Sequence, residues 1–282
     1  MPSPPDSTLT LPMPFGWFGI MASAALPAGS RLDLHYFARD LILSRDADGK
    51  LRLINAAEEG APFLYPVIEA NQVIWAWYHP ARLPPTYGVE ERPEFSDPQW
   101  QDAEEHGWIV HASMQETAEN SVDTAHFKYV HGMETVPPGE FTTDGVTRRT
   151  YVVRERPPRA GEGDRPVRAI LDNVNIGPGM SFTRLSGVID TLVLGYSAPI
   201  SAEKQHLRVR VTQKIYPEDS PLHLAARANL ANFVHQIEQD IPIWNHKRYL
   251  PRPLLCDGDG PIMQFRRFFS RFYYTPELSG SG

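Results

Sequence analysis

The sequence predicts an α+β protein, and three observations carry that expectation. Short segments with the two-residue alternation of antiparallel strands recur through the first two thirds of the chain. Turn signals of the hairpin type lie between several of them, Asp48-Gly49 above all. A long stretch with helical spacing of apolar residues, Pro221 to Tyr249, then follows the strands. Runs of strands followed by helices, rather than strict alternation of the two, give an antiparallel sheet packed against helices. At 282 residues with 41% apolar content, the chain can bury a full core and make two subdomains.

In order along the chain, Asp40 to Ser44 and Leu51 to Ile54 flank Asp48-Gly49, and Phe63 to Ile68 with Val73 to Tyr78 form a second hairpin around Asn71. Pro84 to Glu105 is acidic and proline-rich, which reads as a solvated connection and a domain boundary, giving domains 1–95 and 96–282. Further strands are expected near Trp108 to Met114, Thr150 to Arg154, Val167 to Leu171, Ser181 to Leu185, Val188 to Ile200 and Leu207 to Tyr216. In the last, Leu207, Val209 and Val211 alternate with Arg208, Arg210 and Thr212, as a half-buried strand should. Pro157 to Pro166 is a mobile loop by composition. Gly260-Pro261 opens a terminal helix with Phe265, Phe268, Phe269 and Phe272 as core and Arg266, Arg267 and Arg271 toward solvent or another subunit.

One segment, Glu119 to Gly132, brings two imidazoles and a carboxylate into a single expected helix. Two histidines and one carboxylate on one face are the ligand set of oxygen-activating mononuclear iron. His126 and His131 are five residues apart, so on a regular helix they point roughly 140° apart, and a shared metal requires the helix to unwind between them. Gly132, tolerant of the left-handed conformation, gives it a place to do so. Spacing alone also fits two ordinary histidines, one packed and one at a helix end.

A third ligand is sought among carboxylates placed where burial is costly. Asp240 lies in the apolar stripe of the long helix, within about 40° of Phe233 and Trp244, while Glu238 points to the solvent side. A carboxylate there costs several kcal/mol unless paired or metal-bound. Pro242 removes a backbone donor beside it and is expected to kink the helix. Pairing of Asp240 with an Arg or Lys is the alternative.

These residues resemble the Rieske non-haem iron oxygenases, in the branch of 3-ketosteroid 9-alpha-hydroxylase oxygenase components and cholesterol 7-desaturases. Glu119 to Gly132 is similar to that family's iron-binding helix, Gln239 to Trp244 followed by Lys247 to its carboxylate segment, and Asp257 to Ile262 leading into Phe265 to Phe268 to its C-terminal run. The resemblance implies His126, His131 and Asp240 as ligands of a mononuclear Fe(II), and Asp123 as the acid that bridges this iron to the cluster of a neighbouring subunit. It also implies a helix-grip catalytic domain preceded by a Rieske-like β domain, the latter resembled by Pro14 to Phe18, Tyr36 to Leu43 and Leu51 to Ala56. The chain departs from the family where the cluster-binding loops belong, passing through Ala57 to Pro62 directly to Val67 and Val73 to Tyr78. A Rieske [2Fe–2S] cluster takes two Cys and two His, and the one cysteine, Cys256, cannot supply them.

The expectation is an iron oxygenase acting on an apolar, steroid-like or polycyclic substrate. Its electrons would come from a Rieske-bearing paralogous subunit or a ferredoxin, in a homo- or hetero-trimer. A steroid- or lipid-binding protein, or a hydratase or lyase on the same cavity, is the alternative. A net charge of −7 without a basic stripe argues against nucleic acid. Trp17 to Pro27 is too short and interrupted to span a bilayer, and the single cysteine, an incidental loop thiol beside Asp257, fits the reducing cytoplasm. The other histidines, including His111 and His235, have no partner at ligand spacing and read as surface or hydrogen-bonded groups.

Overall fold

The computed structural model describes residues 10–58, 60–132, 140–157, 164, 166–255 and 259–276. Cys256 and Asp257, and most of the stretch from Pro157 to Pro166, lie outside the described residues.

The fold is α+β. The first part holds β1 (Gly16–Ala22), β2 (Arg31–Tyr36), β3 (Arg39–Arg45), β4 (Leu51–Asn55), β5 (Leu64–Tyr65), β6 (Val67–Ala70) and β7 (Val73–Tyr78). They form two antiparallel sheets, of order β1-β7-β6 and β2-β3-β4-β5. The segment Phe63 to Ile68, expected as one strand, therefore divides between the sheets. Pro66, which has no N–H to give to a ladder, stands at the crossing and accepts from the Trp77 amide instead (2.9 Å).

Asn71 and Gln72, at φ of 54° and 61°, make the two-residue turn between β6 and β7, as mirror-image hairpin turns require. A second turn of this kind, Phe37-Ala38 between β2 and β3, has φ of 59° and 53°. Nothing in its composition announces it. It is held by tertiary contacts: the amides of Phe37 and Ala38 donate to the carbonyls of Pro199 and Ile200 at 2.8 and 2.9 Å, and the Phe37 ring stacks on Tyr78 with centroids 4.6 Å apart.

The second part is a seven-stranded antiparallel sheet of order β8-β14-β13-β12-β11-β10-β9. Its strands are β8 (Glu104–Val110), β9 (Glu140–Asp144), β10 (Thr147–Arg156), β11 (Val167–Ile176), β12 (Met180–Ser186), β13 (Thr191–Ser201) and β14 (Lys204–Gln213). Two short helices, α1 (Met114–Ala118) and α2 (Thr124–Tyr129), precede β9, and α3 (Pro221–Trp244) and α4 (Ile262–Phe269) close the chain. The sheet grips α3: Leu230, Phe233 and Ile237 pack on Val193, Val209 and Val211, and Ile241 and Trp244 on Val110 and Leu207. α3 ends at Trp244 rather than Tyr249 and runs through Pro242.

The opposite face of β12 and β13 is covered too. Met180, Phe182, Leu192, Leu194 and Tyr196 share a core with Trp17, Trp75 and Trp77 of the β1-β7-β6 sheet. This double coverage overturns the half-buried reading of β14. Arg210 donates to Glu105 (3.0 Å) and Gln72 (2.7 Å), and Thr212 is buried. The acidic connection is exposed over most of its length, Glu90, Glu91, Asp102 and Glu104 included, but it is anchored to the sheets: Phe95 is core, Glu94 pairs with Arg184, and Glu105 also accepts from the Tyr196 hydroxyl (2.6 Å).

The four terminal phenylalanines are buried as expected, with Pro261 preceding the first helical residue. Arg266 is not on a solvent face. It is buried, donates to both carboxylate oxygens of Glu119 (2.8 and 3.0 Å), and lies over the Tyr249 ring. Arg267 and Arg271 are exposed.

Candidate metal centre and cavity

The segment expected as one helix is three pieces: α1, a single turn of 3₁₀ helix over Glu119–Ser121, and α2. The break falls at Asp123, whose backbone is extended and whose Oδ1 accepts from the Ala125 amide (3.2 Å), a helix N-cap. α2 then ends before His131. The amides of Val130 and His131 both donate to the His126 carbonyl, at 2.8 and 3.4 Å, and Gly132 sits at φ 67°. That widened last turn swings His131 back, so the two imidazole centroids lie 5.1 Å apart.

Across from them α3 brings Asp240, 5% exposed and facing inward beside buried Trp244, while Glu238 is exposed. His126, His131 and Asp240 each offer a ligating atom within 4.8 Å of the other two. His131 Nε2 is 3.5 Å from Asp240 Oδ2. No Arg or Lys pairs with Asp240 among the described residues, so the ion-pair alternative is not realised.

The hydrogen bonds around the trio decide how the rings are presented. His126 Nδ1 donates to the Asp123 carbonyl, and His131 Nδ1 to Gln239 Oε1 (3.1 Å). Carbonyl oxygens only accept, so both rings carry their proton on Nδ1 and turn the Nε2 lone pair inward. Asn120 Nδ2 donates to His126 Nε2 (3.3 Å) and to Asp240 Oδ2 (3.0 Å). Burial pushes the Asp240 carboxyl up and the His126 imidazole down from their ordinary values. Two imidazole nitrogens and one carboxylate converging in a buried place are a donor set that fits a divalent iron.

Asn120 and Gln239 lie within the motifs that carry the family resemblance, but their residue types alone give neither of them a role. For Asp123 the sequence expected a carboxylate that bridges toward another subunit; the structure places that carboxylate at the helix cap and its carbonyl on the His126 ring. His235 is exposed beside Glu238, and His111 is exposed, so neither approaches the trio.

The centre opens on a cavity of about 900 Å³ between α3 and the concave sheet, lined by Asn120, His126, Phe127, Val152, Leu171 and Phe233 among others. Of the walls expected from α3, Phe233 and Trp244 line it, whereas Ile237 packs into the sheet instead.

A helix-grip sheet with two histidines and an aspartate beside its cavity defines a class, and comparison with known proteins shows the fold and the family. Dicamba monooxygenase bound to dicamba superimposes with a TM-score of 0.68 at 15% identity, covering 91% of this chain and 96% of that one. The same enzyme with non-heme iron and dicamba gives 0.60 at 13% identity, covering 94% and 98%. Residues 76–273 match the family model described as 3-Ketosteroid 9alpha-hydroxylase C-terminal domain, and the chain belongs to that family. A probable 3-ketosteroid-9-alpha-monooxygenase oxygenase component of Rhodococcus rhodochrous is 30% identical over 258 residues, 82% of this chain and 62% of that protein. Cholesterol 7-desaturase nvd of Xenopus laevis is 24% identical over 257 residues, 81% of this chain and 56% of its own. The chain thus spans less than two thirds of the length of either relative.

Proposed function

We propose that this chain is an iron-dependent oxygenase-type enzyme for an apolar, steroid-like substrate, with His126, His131 and Asp240 holding a mononuclear Fe(II). The observation that carries the reading is the buried convergence of these three side chains within 4.8 Å, beside a large cavity to which His126 contributes. The relatives named for ketosteroid monooxygenation and cholesterol desaturation support the substrate class. When bound, iron would supply activation of O2 next to a substrate C–H bond.

The chain's own residues set the conditions. The Asp123 carbonyl and Gln239 fix the imidazole tautomers, Asn120 holds the Asp240 carboxylate through Oδ2, and the apolar walls exclude water from the reacting carbon. We assign the Asp123 carboxylate the route by which electrons reach the site from a Rieske-bearing subunit or a ferredoxin, since one cysteine cannot build the cluster here. Residues 1–95 would then be a cluster-less β domain and 96–282 the catalytic domain, in a trimer working in the cytoplasm. No helix among the described residues is long and apolar enough to cross a membrane.

The test is metal analysis after anaerobic purification. About one iron per chain without the visible absorption of a [2Fe–2S] cluster is expected, and Asp240→Ala should lose the iron while staying folded. Full iron occupancy in that variant removes Asp240 from the site. Product from 3-ketosteroids, appearing only with iron and an electron donor, separates the enzyme from a protein that merely binds them.

A further inference from the structure

The concave wall of the cavity contains a buried cation that no part of the proposed chemistry uses. Arg148 on β10 is 0% exposed, and no carboxylate lies within ion-pair distance of it among the described residues. Its guanidinium lies over the rings of Phe141 and Phe265, 5.6 and 5.5 Å from their centroids. Nη1 donates to Thr150 Oγ1 (3.3 Å), Nη2 donates to Asn173 Oδ1 (3.0 Å) and Asn175 Oδ1, and Nε has no partner. Burial pulls its pKa down to about 9, so it remains a cation at neutral pH. A buried charge with no opposite charge beside it is costly.

The consequence lies one layer nearer the cavity. Arg148 faces Asn175 across the β10/β11 ladder, and Thr150 faces Asn173. On the next strand Ser181 faces Asn175 and Thr183 faces Asn173. Thr150, Asn173, Asn175, Ser181 and Thr183 all line the cavity, a contiguous polar stripe across three neighbouring strands. Because guanidinium groups only donate, the carbonyl oxygens of both asparagines are turned toward Arg148 and their amide nitrogens away from it. Asn173 Nδ2 gives one hydrogen to Thr183 Oγ1 (2.7 Å), while Asn175 Nδ2 donates to no described residue. The stripe therefore presents N–H donors to the cavity, and the uncompensated guanidinium behind them adds a positive potential.

We propose that this stripe is a subsite, organised by Arg148, for a hydrogen-bond-accepting oxygen of the substrate, a ring ketone or a carboxylate. The inference deepens the steroid-like reading, on which it rests. Asn175 is the group that would touch the ligand, and Arg148 is a positioning residue acting through it.

The decisive variant is Asn175→Asp. It is isosteric, gives Arg148 the carboxylate it lacks, and replaces the free donor by an acceptor. Binding to the metal-free protein would be followed by calorimetry with four probes: androst-4-ene-3,17-dione, a steroid acid with a side-chain carboxylate, and the matched pair fluorenone and fluorene. The wild type should bind fluorenone at least about tenfold more tightly than fluorene, and Asn175→Asp should abolish that preference while leaving fluorene unchanged, since a site built to donate rejects a partner that cannot accept. A larger loss for the acid than for the dione marks a carboxylate as the better ligand, and the reverse marks a ketone. Arg148→Met, if folded, should reproduce the loss of preference with a smaller effect. Equal affinity of the wild type for the two fluorene probes, or a preference that survives Asn175→Asp, overturns the subsite. Binding of the small ketone without either steroid leaves the subsite standing and removes the steroid-like substrate instead; binding of no probe overturns both.

Discussion

A single side-chain hydrogen bond sets the orientation in which the His131 ring would meet a metal. Its Nδ1–H is held by Gln239 Oε1 at 3.1 Å, and the residue lies just past the widened end of α2. Acceptors of this kind orient a ligating imidazole and raise its basicity, and their loss typically lowers metal affinity by about 10–100-fold. Gln239→Leu should therefore weaken Fe(II) binding by roughly that factor with an unchanged far-ultraviolet spectrum, as read by competition with a chelator of known affinity. Gln239→Glu keeps an acceptor and should bind closer to the wild type. Equal loss in both variants would mean that the Gln239 contact does not orient the ring.

At the scale of elements, α1, its following 3₁₀ turn and α4 are joined by a buried charge cluster. Glu116 and Glu119 face Arg266 and Lys247, with Lys247 Nζ 3.5 Å from Glu119 and 3.7 Å from Glu116. Because Glu119 directly precedes Asn120, the cluster anchors the turn that holds Asp240. Removing one member of a buried pair leaves an uncompensated charge, so Arg266→Met should destabilise by about 3–5 kcal/mol in urea titration. Arg266→Met combined with Glu119→Gln should recover part of that loss.

Glu116 is different, because neither of its carboxylate oxygens has a hydrogen bond and burial raises its pKa despite Lys247 and Arg266. A carboxyl whose folded pKa is raised contributes stability that is full below its unfolded value near 4.5 and is lost as pH rises through the folded one. Glu116→Gln should accordingly flatten the decline of stability above that pH. An unchanged profile would show that Lys247 and Arg266 compensate the charge fully. None of this cluster was legible in the sequence, where Arg266 alternates with phenylalanines at a spacing that assigns it to solvent. What was legible is local: the alternation in β14, the stripe of α3, and the incompatibility of His126 and His131 with an unbroken helix. Phe37-Ala38 and Pro66 escaped because their conformations are set by strands distant in sequence.

For the molecule as a whole, the coupling runs through the seam between the N-terminal sheets and the large sheet. Phe18 on β1 bridges Gly179, and a Cβ added at Gly179 would stand 2.5 Å from the Trp17 carbonyl and 2.6 Å from the Phe18 ring. That close approach seats the tryptophans of β1 and β7 on one face of β12 and β13, while the other face of β13 packs on α3 and that of β12 lines the cavity. Separating the two parts would expose Trp17, Trp75 and Trp77 together with Phe182 and Leu194, an apolar surface too large for either part to leave in water. The chain should then unfold in one transition, tryptophan fluorescence and far-ultraviolet circular dichroism giving the same midpoint. Gly179→Ala, which pushes on backbone rather than on a movable side chain, should lower that midpoint by the equivalent of about 1–3 kcal/mol without splitting it. Two separate midpoints in the wild type would instead make the β domain an independent folding unit, and the seam a docking contact between finished domains.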